Sequence, residues 1–424
     1  MNAAPSAGLA EALRGLDRDG RLLFATRVMR MFGYGFLAVV LALYLAARGF
    51  DGVAIGVILA LTLVGDTLIS LWLTTHADRY GRRLVLIVGA LLMALAGIVF
   101  AATDAFLLLV AAAVVGVISP SGNEVGPFLA VEQAALSQTT PAVRRTPVFA
   151  WYNLAGSIAT AVGSLAGGLL ASALQGAGAS PLESYRGIVI GYAIVGVLLA
   201  VGFARVTGAV EAPRIDRSTT PGGLGRLGLR PASRSVVLKL AGLFSIDAFG
   251  GGLVPQSLLA YWFHLRFGVE PAVLGTIFFG ANILAAISSL LAARLAARIG
   301  LINTMVFTHI PSSLFLILAA FAPNLIVALG LLLLRSALSQ MDVPTRTSYV
   351  MAVVTPPERA AAASVTAVPR SLASSLSPAI AGILLAMPFS GLPLVVCGVL
   401  KIVYDVALLV SFRDVKPPEE RGRE

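Results

Sequence analysis

The stretch Ala77-Asp78-Arg79-Tyr80-Gly81-Arg82-Arg83 is a compact knot of charge and glycine between two long apolar runs, 53–76 and 84–102. Each run is long enough to cross a hydrocarbon core about 30 Å thick as a helix rising about 1.5 Å per residue. The knot is therefore a very short basic turn between two membrane spans, and Gly81 permits the tight reversal. Apolar blocks continue on both sides of it, at 22–46, 105–136, 147–171 and 187–204, then at 236–263, 271–293, 301–321, 323–348, 360–387 and 389–411. The chain is thus read as twelve spans, with only Ala322-Pro323-Asn324 dividing the ninth from the tenth.

Composition agrees with that count. The chain is 58% hydrophobic and 12% charged, with a mean hydropathy of +0.90, whereas soluble domains carry about 25% charged residues. A bilayer offers the backbone no water to bond to, so the spans are expected to be helices. The first twenty residues lack a basic segment followed by an apolar one, and no cleaved signal peptide is expected. Placing both termini in the cytoplasm puts 21 of the 31 Lys and Arg residues in the tails and alternate loops and leaves Arg48, Arg186 and Arg266 in the opposite ones. That bias is the positive-inside pattern, and it predicts a multi-pass plasma-membrane protein. The net charge of +10 then reflects loops facing anionic lipid, without a nucleic acid partner.

The longest polar interruption runs from 205 to 235, with six arginines, Pro213, Pro221, Pro231 and the Gly222-Gly223 pair. It reads as an extended linker. The expected organisation is a tail over 1–21, a six-helix bundle over 22–204, the linker over 205–235, a second bundle over 236–411 and a tail over 412–424. The halves echo one another: Ala296-Ala297-Arg298-Ile299-Gly300 occupies the matching turn of the second half, with arginine and glycine kept and the acid lost. Arg145 before the fifth span is likewise matched by Arg359 before the eleventh. Agreement in topological position favours duplication.

The turn Thr74-Thr75-His76-Ala77-Asp78-Arg79-Tyr80-Gly81-Arg82-Arg83 resembles the sequence that follows the second span in the major facilitator superfamily. The Asp-Arg-x-Gly-Arg-Arg core is intact, while Thr74 and His76 replace the usual glycine and leucine. The resemblance implies an all-α integral membrane protein, twelve helices in two six-helix bundles, acting as a carrier. It also implies that Asp78, Arg79, Gly81, Arg82 and Arg83, with the echo at Arg298, gate the cytoplasmic side. Independently of the family, arginines here are suited to lipid headgroups or helix carboxyl ends, and Asp78 to accepting their bonds.

Charges inside apolar spans are costly and are expected to face partners or a wet cavity. Arg27 and Arg30 lie in the first span, Asp66 in the second, Glu124 and Glu132 in the fourth, Asp247 in the seventh, Arg335, Asp342 and Arg346 in the tenth, Arg370 in the eleventh, and Lys401 and Asp405 in the twelfth. The resemblance implies a cavity lined mainly by spans one, four, seven and ten. Arg335 lies near mid-membrane and is the leading candidate for cargo contact. Glu124, Asp247 and Asp342 are the candidates for reversible proton binding, and Glu124 and Asp247 also for cargo contact. Glu132 and Arg346, near span ends, are read as gating residues. Around Glu124, Ser119-Pro120-Ser121-Gly122-Asn123-Glu124-Val125-Gly126-Pro127 is expected to interrupt its helix and bring Asn123 to a cavity. Tyr152 and Asn153 in the fifth span are further cargo candidates. That span carries Gly156, Gly163, Gly167 and Gly168, as in drug/proton exporters of the family, but lacks their Gly-Pro pair. Lys401 and Asp405, four residues apart, are expected to pair on one helix face.

Cys397 is a lone small core residue, and His76, His264 and His309 are too scattered to suggest a metal. No cofactor is implied. The chain has no phosphate loop and no soluble catalytic domain, so an enzyme is not expected. The leading expectation is a monomeric secondary transporter, moving a small organic or amphipathic compound outward in exchange for protons. A proton-coupled carrier of an organic or inorganic anion is a second reading, and a non-transporting receptor or scaffold a third. Six intramembrane acids against seven bases do not choose between cargo charges.

Overall fold

The computed structural model describes residues 16–211 and 228–413. Most of the 205–235 linker and the outer parts of both expected tails lie outside these residues. The described residues form sixteen α-helices in chain order: α1 (Arg18–Ala38), α2 (Leu41–Ala47), α3 (Gly52–Tyr80), α4 (Arg82–Ala102), α5 (Phe106–Val115), α6 (Phe128–Thr139), α7 (Ala142–Gly176) and α8 (Pro181–Ala204); then α9 (Pro231–Gly252), α10 (Gln256–Phe267), α11 (Pro271–Ile299), α12 (Leu301–Ala320), α13 (Leu325–Leu338), α14 (Asp342–Ala352), α15 (Arg359–Leu385) and α16 (Leu392–Phe412). Their starts follow local chemistry. Asp17, Asp51 and Asn324 cap α1, α3 and α13 by accepting from Gly20, Ala54 and Val327, and Ser180 with Glu183 forms a capping box on α8, each satisfying amide groups that the first turn leaves open. At the two matched turns Gly81 has φ 101° and Gly300 φ 89°, a region costly for any residue with a Cβ.

Among the described residues ten helical stretches are long and apolar enough to cross a membrane, counting 233–267 and 325–352 as one each, and α1 with α2 makes an eleventh bent by 40°. The expected fourth span, 105–136, is interrupted, as its prolines and glycines predict. It is split into α5 and α6 by an irregular segment, 116–127. Pro120 and Pro127 supply no amide hydrogen, and Gly122 and Gly126 take φ of 70° and 83°, so a helix cannot run through. The backbone groups set free are bonded by neighbours. Tyr192 donates to the carbonyl of Val117 at 2.6 Å, Tyr34 to that of Val125 at 3.0 Å and Ser119 to that of Asn123 at 2.7 Å, while Asp66 accepts from the Gly126 amide at 2.6 Å. Irregular backbone at membrane depth survives on such terms. The first, fourth, seventh and tenth spans are thus each broken, at 39–40, 116–127, 253–255 and 339–341.

In the first half α1 packs on α7 and α8, α3 on α5 and α4 on α8; in the second, α9 packs on α15 and α16, and α12 on α13, α14 and α16. Three pairs join the halves: α7 with α11, α3 with α15 and α2 with α10. Glycine lets these backbones touch. A Cβ on Gly56 of α3 would stand 2.4 Å from the Pro378 carbonyl oxygen of α15, and one on Gly168 of α7 would stand 2.2 Å from that of Pro271 at the start of α11. All three contacts lie at the end remote from the Asp78–Arg83 turn. There a single buried apolar cluster runs through both halves, from Leu45 and Ile55 to Leu258, Trp262 and Leu385. At the turn-bearing end the second half has its own separate cluster, built on Leu240, Phe244, Met305, Tyr349, Tyr404 and Leu408. The halves are closed against one another at one end and divided at the other.

Candidate functional site

Two buried networks of charge occupy the broken spans. In the first half, α1 presents Arg27 and Arg30 one turn apart. Arg30 is fully buried and grips Glu132 of α6 with two parallel bonds, 2.6 Å and 2.7 Å, the fork geometry that suits arginine to a carboxylate. Its Nε reaches Glu124 Oε1 at 3.0 Å, while Arg27 Nη1 reaches Glu124 Oε2 at 2.7 Å. Each oxygen of Glu124 thus holds a different arginine. Arg27 also donates to the Tyr152 carbonyl at 3.0 Å and to Asn153 Oδ1 at 3.4 Å, and its guanidinium lies 4.3 Å from the Tyr152 ring centroid. The Tyr152 hydroxyl donates to Glu132. Glu132 is sealed from solvent, whereas the Glu124 side chain keeps 15% exposure. Asn123 and Asn153 are exposed beside it.

The second half answers with charges exchanged. Asp247 on α9 accepts from Arg346 of α14 at 3.0 Å through one oxygen and from Lys401 of α16 at 2.6 Å through the other. Asp342 holds Arg346 from one turn away at 3.1 Å. Arg30 and Glu132 join spans one and four; Asp247 and Arg346 join spans seven and ten, about 215 positions later in sequence. The same interhelical bond recurs with the acid and the base traded between helices, which accords with duplication. His309 of α12 lies between Asp405, 3.0 Å from both oxygens, and Lys401 at 3.3 Å. The expected pair of Lys401 with Asp405 does not form. Each found a partner on another helix because the side chains turn into the bundle and not along their own helix surface.

Of the predicted cargo and proton residues, the structure brings together Glu124, Tyr152 and Asn153 in one cluster and Asp247 with Asp342 in another. Arg335 stands apart at the end of α13, beside the break in span ten, with its carbonyl accepting from Ser312 at 3.3 Å. Its guanidinium makes no hydrogen bond or ion pair among the described residues. Glu132 and Arg346, predicted to gate, are engaged wholly within their own halves.

The turn is held locally as well. Arg82 bonds to Asp78 at 3.0 Å, to Gln138 at 2.8 Å and to the Val210 carbonyl at 3.2 Å, and Arg83 bonds to the Ala204 carbonyl. Glu211 accepts from the backbone amides of Arg82 at 2.6 Å and Arg83 at 3.2 Å, so an acid just past α8 clamps the start of α4. Arg79 is exposed over the Tyr80 ring, and Arg298 is exposed at the matched turn. Among the described residues every partner of the turn belongs to the first half or to the start of the linker, in keeping with the separation of the halves at this end.

Sequence reasoning did not assign Glu211 or His309 to a network and gave Lys401 a partner, Asp405, other than the Asp247 it takes. His309 and Lys401 carried a signal, being polar residues within apolar blocks. Glu211 carried none, because its partners are backbone amides that become available only when the turn forms. The apolar depressions at α3/α4, around Trp72 and Leu92, and at α4/α8, around Ile98 and Val197, contain no charged residue; they belong to the lipid-facing surface.

Broken spans around buried charge, in two halves closed at one end and parted at the other, suit a carrier. The model of the Major Facilitator Superfamily matches residues 23–265 and 240–424, and the chain belongs to that family. It is 30% identical, over 425 aligned positions covering 94% of this chain and 95% of the other, to the uncharacterized membrane protein YJR124C of Saccharomyces cerevisiae. Its fold matches the inward-facing, unoccupied crystal structure of a bacterial homolog of the human lysosomal transporter Spinster, with a TM-score of 0.68 at 14% identity over 97% of this chain and 96% of that one. It also matches the D-xylose-proton symporter, with a TM-score of 0.69 at 14% identity over 95% and 98% of the chains.

Proposed function

We propose that the protein is a monomeric, proton-coupled secondary transporter of a small organic compound in the plasma membrane, with both termini cytoplasmic, and that it exports its cargo in exchange for protons. The observation that carries this reading is Glu124. It is the acid of the first network that retains exposure, and each of its oxygens holds an arginine of α1. A proton arriving there releases Arg27 and weakens the hold on Arg30, which loosens the irregular segment 116–127 against α1. Deprotonation restores both bonds. This exchange of an ion pair for a neutral acid biases α1 and the α5/α6 break between two arrangements, as alternating access requires. With the termini cytoplasmic, the parted end faces the cytoplasm, and Asp78, Arg79, Arg82 and Arg83 latch it to the second half in the opposite state. Asp247 has a cation on each oxygen, so it takes up a proton only as one of them leaves.

The test uses proteoliposomes and a cargo found by thermal-stabilisation screening of the purified protein at two pH values. Glu124→Gln is expected to reduce flux driven by a pH gradient about tenfold or more, the scale of loss for a positioned proton carrier, while cargo exchange at equal pH persists. Undiminished pH-driven flux in that variant would sink the assignment.

A further inference from the structure

Among the described residues of the second half several donors lack an acceptor, the hydroxyls of Ser257, Ser288 and Ser313 and the Trp262 indole included, and three belong to its charged interior. Arg370, on α15 just after Pro369, has its Nε buried with no hydrogen-bond partner, and no ion pair reaches its guanidinium among the described residues. Arg346, Asp247, Asp342 and Tyr404 all lie within electrostatic reach of it. The two acids are already taken, Asp247 by Arg346 and Lys401 and Asp342 by Arg346. Tyr404 is fully buried on α16, and its hydroxyl also finds no partner. Arg335 is the third. The interior of this half holds Arg335, Arg346, Arg370 and Lys401 against Asp247, Asp342 and Asp405, and Asp405 is turned to His309. The first half has the opposite balance, Arg27 and Arg30 against Asp66, Glu124 and Glu132.

Arg370 as a whole is half-buried, but an arginine whose Nε is buried without an acceptor is costly in a membrane protein. A like charge, Arg346, repels it, while Asp247 and Asp342, which attract it, are each already bonded to another cation. What would satisfy both Arg370 Nε–H and the Tyr404 hydroxyl is a group that only accepts hydrogen bonds and carries negative charge. We propose that the cargo bears an anionic group, a carboxylate or phosphate, and that Arg370 receives it in the second half with Tyr404 as a further donor. This rests on the transporter reading above and adds the charge of the cargo to it. Arg335 supplies additional positive potential from the break in span ten. The anion supplies acceptors that the chain itself does not, and so it stabilises the second half when bound.

The charge can be tested without knowing the cargo. Arg370→Met removes an uncompensated charge, so in the ligand-free protein its melting temperature is expected to rise by about 2 °C or more. Arg30→Met, which breaks a made pair, is expected to lower it. Sodium phosphate, acetate, benzoate and citrate are then added, each against sodium chloride at equal ionic strength, in a neutral detergent. At least one is expected to stabilise the wild type, with the effect lost in Arg370→Met, weakened in Tyr404→Phe and partly kept in Arg370→Lys. Glu124→Gln should retain it, which separates failure of the anion site from failure of proton coupling. Phosphatidic acid in the micelle is the competing source of the same chemistry. Stabilisation by that lipid alone overturns the cargo assignment, as does a lower melting temperature or failure to fold in ligand-free Arg370→Met, or the absence of any effect from the four anions.

Discussion

Cysteines introduced by Gly52→Cys and Leu385→Cys, in a Cys397→Ser background, are expected to form a disulfide that stops transport until it is reduced. Gly52 begins α3 and Leu385 ends α15, at the end where the halves meet. A Cβ built on Gly52 would stand 3.8 Å from that of Leu385, which is the usual Cβ separation across a disulfide. The alternating access proposed above requires α3 and α15 to separate here, and a covalent bond between the halves forbids it. Cys397 is the chain's one native cysteine, so the background variant leaves no competing thiol. Nearly complete loss of flux on oxidation, recovered with dithiothreitol, is the anticipated result. If the bond forms quantitatively and flux continues, the contact between Gly52, Gly56 and Gly382 is not a moving gate. The close approach has a second consequence. Any side chain at Gly56 collides with the Pro378 carbonyl, so glycine at this position is needed for the closed arrangement.

Asp247→Ala is expected to cost about 3–5 kcal/mol, the penalty for leaving a buried charge without its partner. Two cations share this carboxylate. Without it Arg346 keeps only Asp342, and Lys401 keeps only the contact with His309. Loss of this size consumes much of the stability a folded domain has, so low yield and a strongly reduced melting temperature are the expected readouts. Adding Lys401→Met to Asp247→Ala should recover part of the loss, since one of the stranded charges is then gone. The double variant is thus expected to be more stable than the sum of the two single changes. If instead Asp247→Ala melts within a degree or two of the wild type, the acid is dispensable for folding and the network has been misread. The expected asymmetry with Arg370→Met, which stabilises, distinguishes charges that hold the bundle together from those kept for a ligand.

Much of the architecture was legible in the chain because membrane insertion is a local constraint. A span reveals itself by its own composition, and the turn at Asp78–Arg83 by glycine and charge within a few residues. The break in span four was also foreshadowed, since Pro120, Gly122, Gly126 and Pro127 act on the backbone they belong to. What the sequence could not show was that the break is a whole segment and not a kink. That outcome depends on Tyr34, Asp66 and Tyr192, which come from three other helices to bond the freed groups.

The candidate site divides along the same line. Its membership was largely visible, because an ionisable residue in an apolar block is conspicuous; Glu124, Asp247, Arg335 and Arg370 all announce themselves in this way. Its wiring was not. Lys401 and Asp405 look paired when only one helix is considered, yet they take Asp247 and His309 from helices more than ninety residues away in sequence. The sequence by itself determined that this chain is a bundle of membrane helices with a short basic turn and charge buried in spans one, four, seven and ten. Only the tertiary structure decided which acid holds which base, which end is closed, and which buried-span arginines, Arg335 and Arg370, make no ion pair among the described residues. Spans are set by the hydrophobic length of neighbouring residues, whereas a charge pair is set by distances between side chains on different helices, and those exist only once the helices have packed.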